Sequence, residues 1–208
     1  ASGSCFKVRT TWGKVKIRLK LLGRYNVLNA LAAVATGGAL GVDLELIADV
    51  LGAMPVVPGR LEEIKTSRGF LVFVDYAHTD DALENVLRTL REITAKRLIV
   101  VFGCGGNRDR TKRPAMGRAA TELADHVIIT SDNPRREDPT AIIGEIRGGC
   151  SKSNYEVMED RSEAIRKAVD IAQKGDVVLI AGKGHEAVQE FANTTVMFDD
   201  RQVVRKYL

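Results

Sequence analysis

The sequence predicts an α/β fold, a mostly parallel sheet with helices on both faces. Short, continuous apolar runs such as Leu98–Phe102 and Val177–Ala181 have the character of strands buried on both sides. Amphipathic helical stretches separate most of these runs, which is the rhythm of βα crossovers. The loops that follow them are rich in glycine or charge, and ligands bind such sheets at the carboxyl ends of the strands.

The elements follow in order. Residues 5–9 and 14–21 alternate apolar with polar side chains, as half-buried strands do, with Trp12-Gly13 at a hairpin turn. Residues 26–37 and 43–51 read as helices, the second opened by an Asp43 cap. Two strands and two helices are too little to close a core, so 1–57 is expected to be the tail of a larger domain, with exposed apolar surface or local disorder. The Pro55-Val56-Val57-Pro58-Gly59 stretch breaks the pattern and marks a boundary. Beyond it, in 58–208, strands are expected at 61–66, 70–75, 98–102, 127–131, 155–158 and 177–181. Helices are expected at 79–94, 113–124, 140–148 and 161–173, and residues 195–208 supply one more strand and a closing helix.

Composition excludes several function classes. Aromatics are only 5% of the chain, so stacking platforms for nucleic-acid bases are not expected. The net charge of +4 is mild and its charges are mixed, with no polybasic block for DNA or a lipid surface. Cys5, Cys104 and Cys150 are too widely spaced for a zinc site or disulfide framework. No run is long enough to cross a bilayer and no signal peptide is visible, which predicts a soluble, cytoplasmic protein.

Four loops carry the candidate chemistry. Asp75-Tyr76-Ala77-His78 places a carboxylate at a strand end, where it can accept both hydroxyls of a ribose; helix capping is the alternative, although Thr79 is better placed for it. In Gly103-Cys104-Gly105-Gly106-Asn107-Arg108-Asp109-Arg110 the glycines let backbone N–H groups approach an anion, and Arg108 can grip a carboxylate with two prongs. The run is neither a Walker A loop nor a dinucleotide fingerprint, and a plain glycine turn remains open. In Asp132-Asn133-Pro134-Arg135, Pro134 stiffens the turn that carries the amide and the guanidinium; an ordinary Asn-Pro turn is the alternative. In Gly182-Lys183-Gly184-His185-Glu186 two glycines admit a ligand close to the backbone, and Glu186 can bind an ammonium group. No constellation for nucleophilic catalysis and no metal cluster is visible.

With Tyr25-Asn26-Val27-Leu28-Asn29-Ala30-Leu31-Ala32-Ala33 and Pro58-Gly59-Arg60-Leu61-Glu62 placed ahead of them, these motifs, in this order, resemble the Mur ligase family. Asp132-Asn133-Pro134-Arg135 is similar to the branch that adds meso-diaminopimelate. The resemblance implies a Rossmann-like C-terminal domain at 58–208, preceded at 1–57 by the end of the family's central ATP-binding domain. It implies ATP and Mg²⁺, and a UDP-linked muramyl dipeptide whose carboxylate becomes an acyl phosphate that the amino acid's amine attacks. It also implies a monomer. Carried over by position, Asn29 lies near the adenine, Arg60 near the nucleotide, and Asp75 on the ribose, with His78 in the same site. Arg108, Asn133, Pro134, Arg135, Gly182 and Glu186 hold meso-diaminopimelate. No residue here matches a catalytic or metal-binding role, and the P-loop is missing, so the 208 residues alone are expected not to ligate. Asp80 stands where relatives usually carry proline; in the first turn of a helix a carboxylate is favourable. A lysine-adding or folylpolyglutamate-type ligase, and a non-catalytic binding module of the same fold, are the alternatives.

Overall fold

A computed structural model describes residues 3–208, which fall into two compact units divided between Val57 and Pro58. In the first unit β1 (Ser4–Thr10) pairs antiparallel with β2 (Gly13–Leu19), with Thr10 opposite Gly13 across a two-residue turn. Helix α1 is Arg24–Ala39 and α2 is Leu44–Ala53. The Asp43 carboxylate accepts from the Glu45 and Leu46 N–H groups, as the sequence predicts. Contrary to expectation, the unit closes a small core, in which Ile17, Leu19, Val34, Ile47 and Leu51 are buried together. The hairpin supplies one apolar face and the two helices the other, enough to exclude water from between them. Leu28, Leu31, Leu46 and Val50 nevertheless stay exposed, in line with the expected apolar surface.

The second unit holds a six-stranded sheet of β3 (Glu62–Ile64), β4 (Leu71–Asp75), β5 (Leu98–Phe102), β6 (His126–Ile129), β7 (Tyr155–Val157) and β8 (Val177–Ala181). Their order is β3-β4-β8-β5-β6-β7, with only β3 antiparallel. Helices α3 (Asp80–Arg91), α4 (Lys112–Leu123), α5 (Pro139–Arg147), α6 (Arg161–Ile171) and α7 (Asp200–Tyr207) complete it. Side chains alternate across each strand. Val72, Val74, Ile99, Val101, Val178 and Ile180 share a core with α6 and with Val204 of α7. Phe73, Val100 and Leu179 point to the opposite face and are equally buried. Thr79 caps α3, Asp138 caps α5 and Asp160 caps α6, each accepting an N–H from the first turn. Asp80 lies in the first turn of α3, as expected.

Two expectations need correction. Strand β6 stops at Ile129 rather than 131, because the Ser131 N–H and Thr130 Oγ1 both turn to the Glu159 carbonyl, at 3.2 and 3.1 Å. Residues 195–208 supply the expected strand, β10 (Thr195–Met197), and closing helix, but a strand absent from the sequence expectations, β9 (Val188–Glu190), pairs antiparallel with β10 as a separate hairpin. Among the described residues no helix is long and apolar enough to cross a membrane.

Candidate functional site

Strands β4, β8, β5 and β6 are neighbours, and the loops leaving their carboxyl ends close on one another through glycines. A Cβ on Gly103 would run into the Thr130 carbonyl, and one on Gly106 into the Pro134 carbonyl. Gly182, at φ +116°, lies against the Asp132 carboxylate, and Gly184, at φ +55°, against Tyr76. Both positions favour glycine through backbone angle and space alike. The Gly106 N–H donates to the Asn133 carbonyl at 2.8 Å, joining the glycine loop to the Asn-Pro turn.

Asn133 is the hub of this junction. Its Nδ2 donates to Glu186 Oε2 at 2.9 Å. Its Oδ1 accepts from Lys183 Nζ at 2.9 Å and from the Glu190 N–H at 3.1 Å. Arg135, two residues on, has φ +53°, a left-handed conformation that costs a non-glycine residue energy and recurs at functional sites. Its Nε meets Glu190 Oε2 at 2.7 Å, and its Nη1 donates to the Gly106 carbonyl at 3.0 Å. The guanidinium is thus aimed, not free to wander. Arg108 is exposed and donates only to the Asn107 carbonyl at 3.1 Å. Even so, the Arg135 Nη1 and the Arg108 Cγ both lie within 4 Å of the space above Gly105, at 3.0 and 3.9 Å. The Arg135 guanidinium and the aliphatic stem of Arg108 thus flank Gly105, while the Glu186 carboxylate is held by the Asn133 amide of the adjoining turn. Charges of both signs at one loop junction suit a solute bearing a carboxylate and an ammonium group.

The glycine loop is held from below. Buried Arg113 donates to both oxygens of Glu137, at 2.9 and 3.0 Å, and to Glu145 at 2.8 Å. Hydrogen bonds from Arg113 and from the Asn107 N–H hold the Glu137 carboxyl at about 2, against an ordinary 4.5. Glu145 is lowered too, chiefly by Arg110. A carboxylate depressed in the folded state contributes stability that is present above its ordinary value and is lost as pH falls through the folded one. The melting temperature is therefore expected to fall between pH 4.5 and about 2, and Glu137→Gln to flatten that slope; an unchanged slope in thermal melts across this range contradicts the assignment.

Residues 59–78 form a second cluster. Asp75 is buried, its Oδ2 accepting from the Leu61 N–H at 2.6 Å and its Oδ1 from the Ala77 N–H at 2.8 Å. Burial pushes its carboxyl up, against the pull of those two donors. Its visible work is to fasten the Pro58–Glu62 turn, where Leu61 has φ +42° and the Gly59 N–H donates to Glu62 Oε2 at 2.9 Å. Exposed His78 accepts Lys112 Nζ on its carbonyl at 2.6 Å and lies edge-on to Tyr76, ring centroids 4.6 Å apart. The Arg60 guanidinium sits 5.0 Å above the Tyr76 ring, and His185 lies 5.7 Å to its side. Asn29 is exposed on α1 in the first unit, where its Nδ2 reaches Asn26 Oδ1 at 3.5 Å.

Three contributors escaped the sequence reading. Lys183 is fully buried, while Gln189 and Glu190 of β9 fasten the Asn-Pro turn, the Gln189 amide donating to the Asp132 carbonyl at 2.6 Å. The only sequence signal was a lysine set between two glycines. Cys104, in the glycine loop, is buried, and burial pushes its thiol up to about 12, which disfavours the thiolate. A cavity of about 550 Å³ opens between the start of α6, the β9–β10 hairpin and α7, yet none of Arg108, Asn133, Arg135 or Glu186 lines it. The charged loop junction is thus a candidate separate from this cavity. Among the described residues no group of three or more His, Cys, Asp or Glu side chains is placed to hold a metal ion.

The chain resembles known proteins along most of its length. The chain is 48% identical over 209 residues to the UDP-N-acetylmuramoyl-L-alanyl-D-glutamate–2,6-diaminopimelate ligase of Syntrophomonas wolfei, covering 99% of this chain and 43% of the relative. It is 49% identical over 197 residues to the ligase of the same name from Clostridium botulinum, covering 94% and 41%. A solved structure of a ligase of that name superposes with a TM-score of 0.72 at 42% identity, covering 99% of this chain and 42% of that one. Folylpolyglutamate synthase from Mycobacterium tuberculosis shares the fold, with a TM-score of 0.69 at 23% identity over 88% of this chain and 43% of its own. The chain thus spans about two-fifths of the length of the curated relatives it matches. The family model described as Mur ligase, glutamate ligase domain, matches residues 59–184, and the chain belongs to the Mur ligase family.

Proposed function

We propose that this chain is the amino-acid-receiving part of a MurE-type ligase, which joins meso-2,6-diaminopimelate to UDP-N-acetylmuramoyl-L-alanyl-D-glutamate in peptidoglycan synthesis. In this reading 58–208 is the C-terminal domain and 1–57 the end of the central ATP-binding domain of a cytoplasmic, monomeric enzyme. The observation that carries it is the aimed pair of opposite charges at one turn, Arg135 held by Glu190 and Gly106, and Glu186 held by Asn133. Diaminopimelate has an amino-acid group at each end. One carboxylate lies on Arg135 and Arg108, its ammonium on Glu186, and Pro134 and Gly182 shape the floor. The far amine is left free to attack the acyl phosphate that ATP makes of the dipeptide's carboxylate. Holding the ligand by one end supplies orientation, a main source of rate in amine attack. The reacting amine must itself belong to an amino-acid group, so lysine oriented to react has only a bare ammonium at its held end and leaves an arginine unpaired, a mismatch worth up to roughly 10⁴ in discrimination.

Half-buried Tyr76 and the exposed His78, His185 and Arg60 present rings and a cation suited to a nucleotide. For Asp75 to meet a ribose it must share acceptor capacity already given to Leu61 and Ala77. Mg²⁺ and ATP are requirements of the whole ligase, and no metal ligand is assigned to this chain. Isolated, the chain is expected to leave ATP, diaminopimelate and the dipeptide unligated.

An NMR titration of the ¹⁵N-labelled chain tests the reading. Meso-diaminopimelate is expected to move the amide signals of residues 105–108 and 133–135 saturably, while lysine at equal concentration leaves them in place. Equal or stronger binding of lysine contradicts it.

A further inference from the structure

Lys183 has no surface exposure and sits among groups that the proposed site uses. Its Nζ donates to Asn133 Oδ1 at 2.9 Å and to the Val188 carbonyl at 2.6 Å, and lies 3.4 Å from Glu186 Oε2. An ammonium buried this completely is costly, and stability alone favours an apolar chain of similar volume in its place. The polar contacts must therefore account for its presence.

Two of them bear directly on recognition. The Asn133 amide has Lys183 and the Glu190 N–H as donors on its oxygen and a carboxylate at its nitrogen. Only one orientation of the amide satisfies all three. In that orientation the Nδ2 group faces Glu186 and holds its carboxylate. Lys183 also neutralises one side of Glu186, whose side chain is about one-third exposed, leaving Oε1 for an incoming ammonium. We infer that Lys183 is a positioning residue for amino-acid selection, setting the Asn133 amide and the Glu186 carboxylate without touching the ligand. This rests on the amino-acid reading given above.

A double-mutant cycle on the 208-residue chain tests it, with meso-diaminopimelate as the probe and NMR as the readout, which follows binding into the millimolar range. Lys183→Met keeps the volume and removes the charge. It is expected to raise the dissociation constant roughly tenfold to a hundredfold, the consequence of leaving a buried acceptor unsatisfied. In an Asn133→Ala background the same change is expected to cost several-fold less than in the parent, because one of the two groups through which Lys183 acts is already gone and only Glu186 remains. Equal losses in both backgrounds mean general structural support and overturn the inference, as does an unchanged constant in Lys183→Met. If Lys183→Met unfolds at the titration temperature, Lys183→Gln, which keeps one donor, replaces it in the same cycle and is judged by the same outcomes. Asn133→Ala with no effect on binding overturns instead the amino-acid reading, and an absence of saturable binding by the parent chain overturns that reading and this inference together.

Discussion

Arg135→Ala is expected to weaken meso-diaminopimelate binding by about 2–4 kcal/mol, the cost of removing one partner from a largely desolvated charged contact. That is on the order of 30- to 1,000-fold in affinity. The expectation follows from how the guanidinium is held. Glu190 takes its Nε and the Gly106 carbonyl its Nη1, so its position is set before any ligand arrives and little ordering cost remains to binding. Lysine binding should hardly change, so selectivity collapses as well as affinity. Arg135→Gly separates the site from the fold. Glycine accepts φ +53° without strain, so this variant should melt no lower than the parent and still lose the ligand. Calorimetric titration of both variants with both amino acids, alongside thermal melts, reads the two effects independently; a variant that melts early while keeping its affinity contradicts the account.

The second large effect concerns stability. Arg161 and Asp200 are both fully buried and paired through two hydrogen bonds, Nε to Oδ1 at 2.8 Å and Nη2 to Oδ2 at 2.7 Å. Burial works against the charge on Arg161, and the Asp200 carboxylate outweighs it. Arg161→Ala leaves that carboxylate buried without a partner and should cost about 3–5 kcal/mol. The double change Arg161→Met with Asp200→Leu removes both charges together and should cost far less. Urea unfolding of single and double variants distinguishes a pair kept for stability from one kept for position. Position matters here because Arg161 also donates to the Ala181 carbonyl at 3.0 Å, at the strand end that leads into Gly182. Losing the pair should therefore loosen the ligand loops before the chain unfolds.

The parts of the fold that could be read in advance share a physical feature: the deciding interaction is local. The runs Leu98–Phe102 and Val177–Ala181 are apolar along their length, and each is buried throughout. Asp43 and Thr79 cap helices because a short polar side chain reaches an N–H two or three residues away. Strand β9 was missed because three residues carry no usable period. Its buried Gln189 and its Glu190 find their partners at Asp132, Asn133 and Arg135, more than fifty positions away in the chain. The role of Lys183 is hidden for a similar reason, since a lysine in a glycine loop looks solvated until the Asn133 side chain is brought beside it. Asp75 shows the opposite failing. A carboxylate at a strand end invites a ligand role, yet its partners are backbone N–H groups, one of them from Leu61, which only the folded turn brings near.

The most direct test of the central claim is a crystal structure of the chain with meso-diaminopimelate. The account predicts density for one carboxylate against the Arg135 guanidinium and its ammonium against Glu186, with the far amine unbound. Ligand found instead in the 550 Å³ cavity beside α7, with Arg135 still paired only to Glu190, would contradict it.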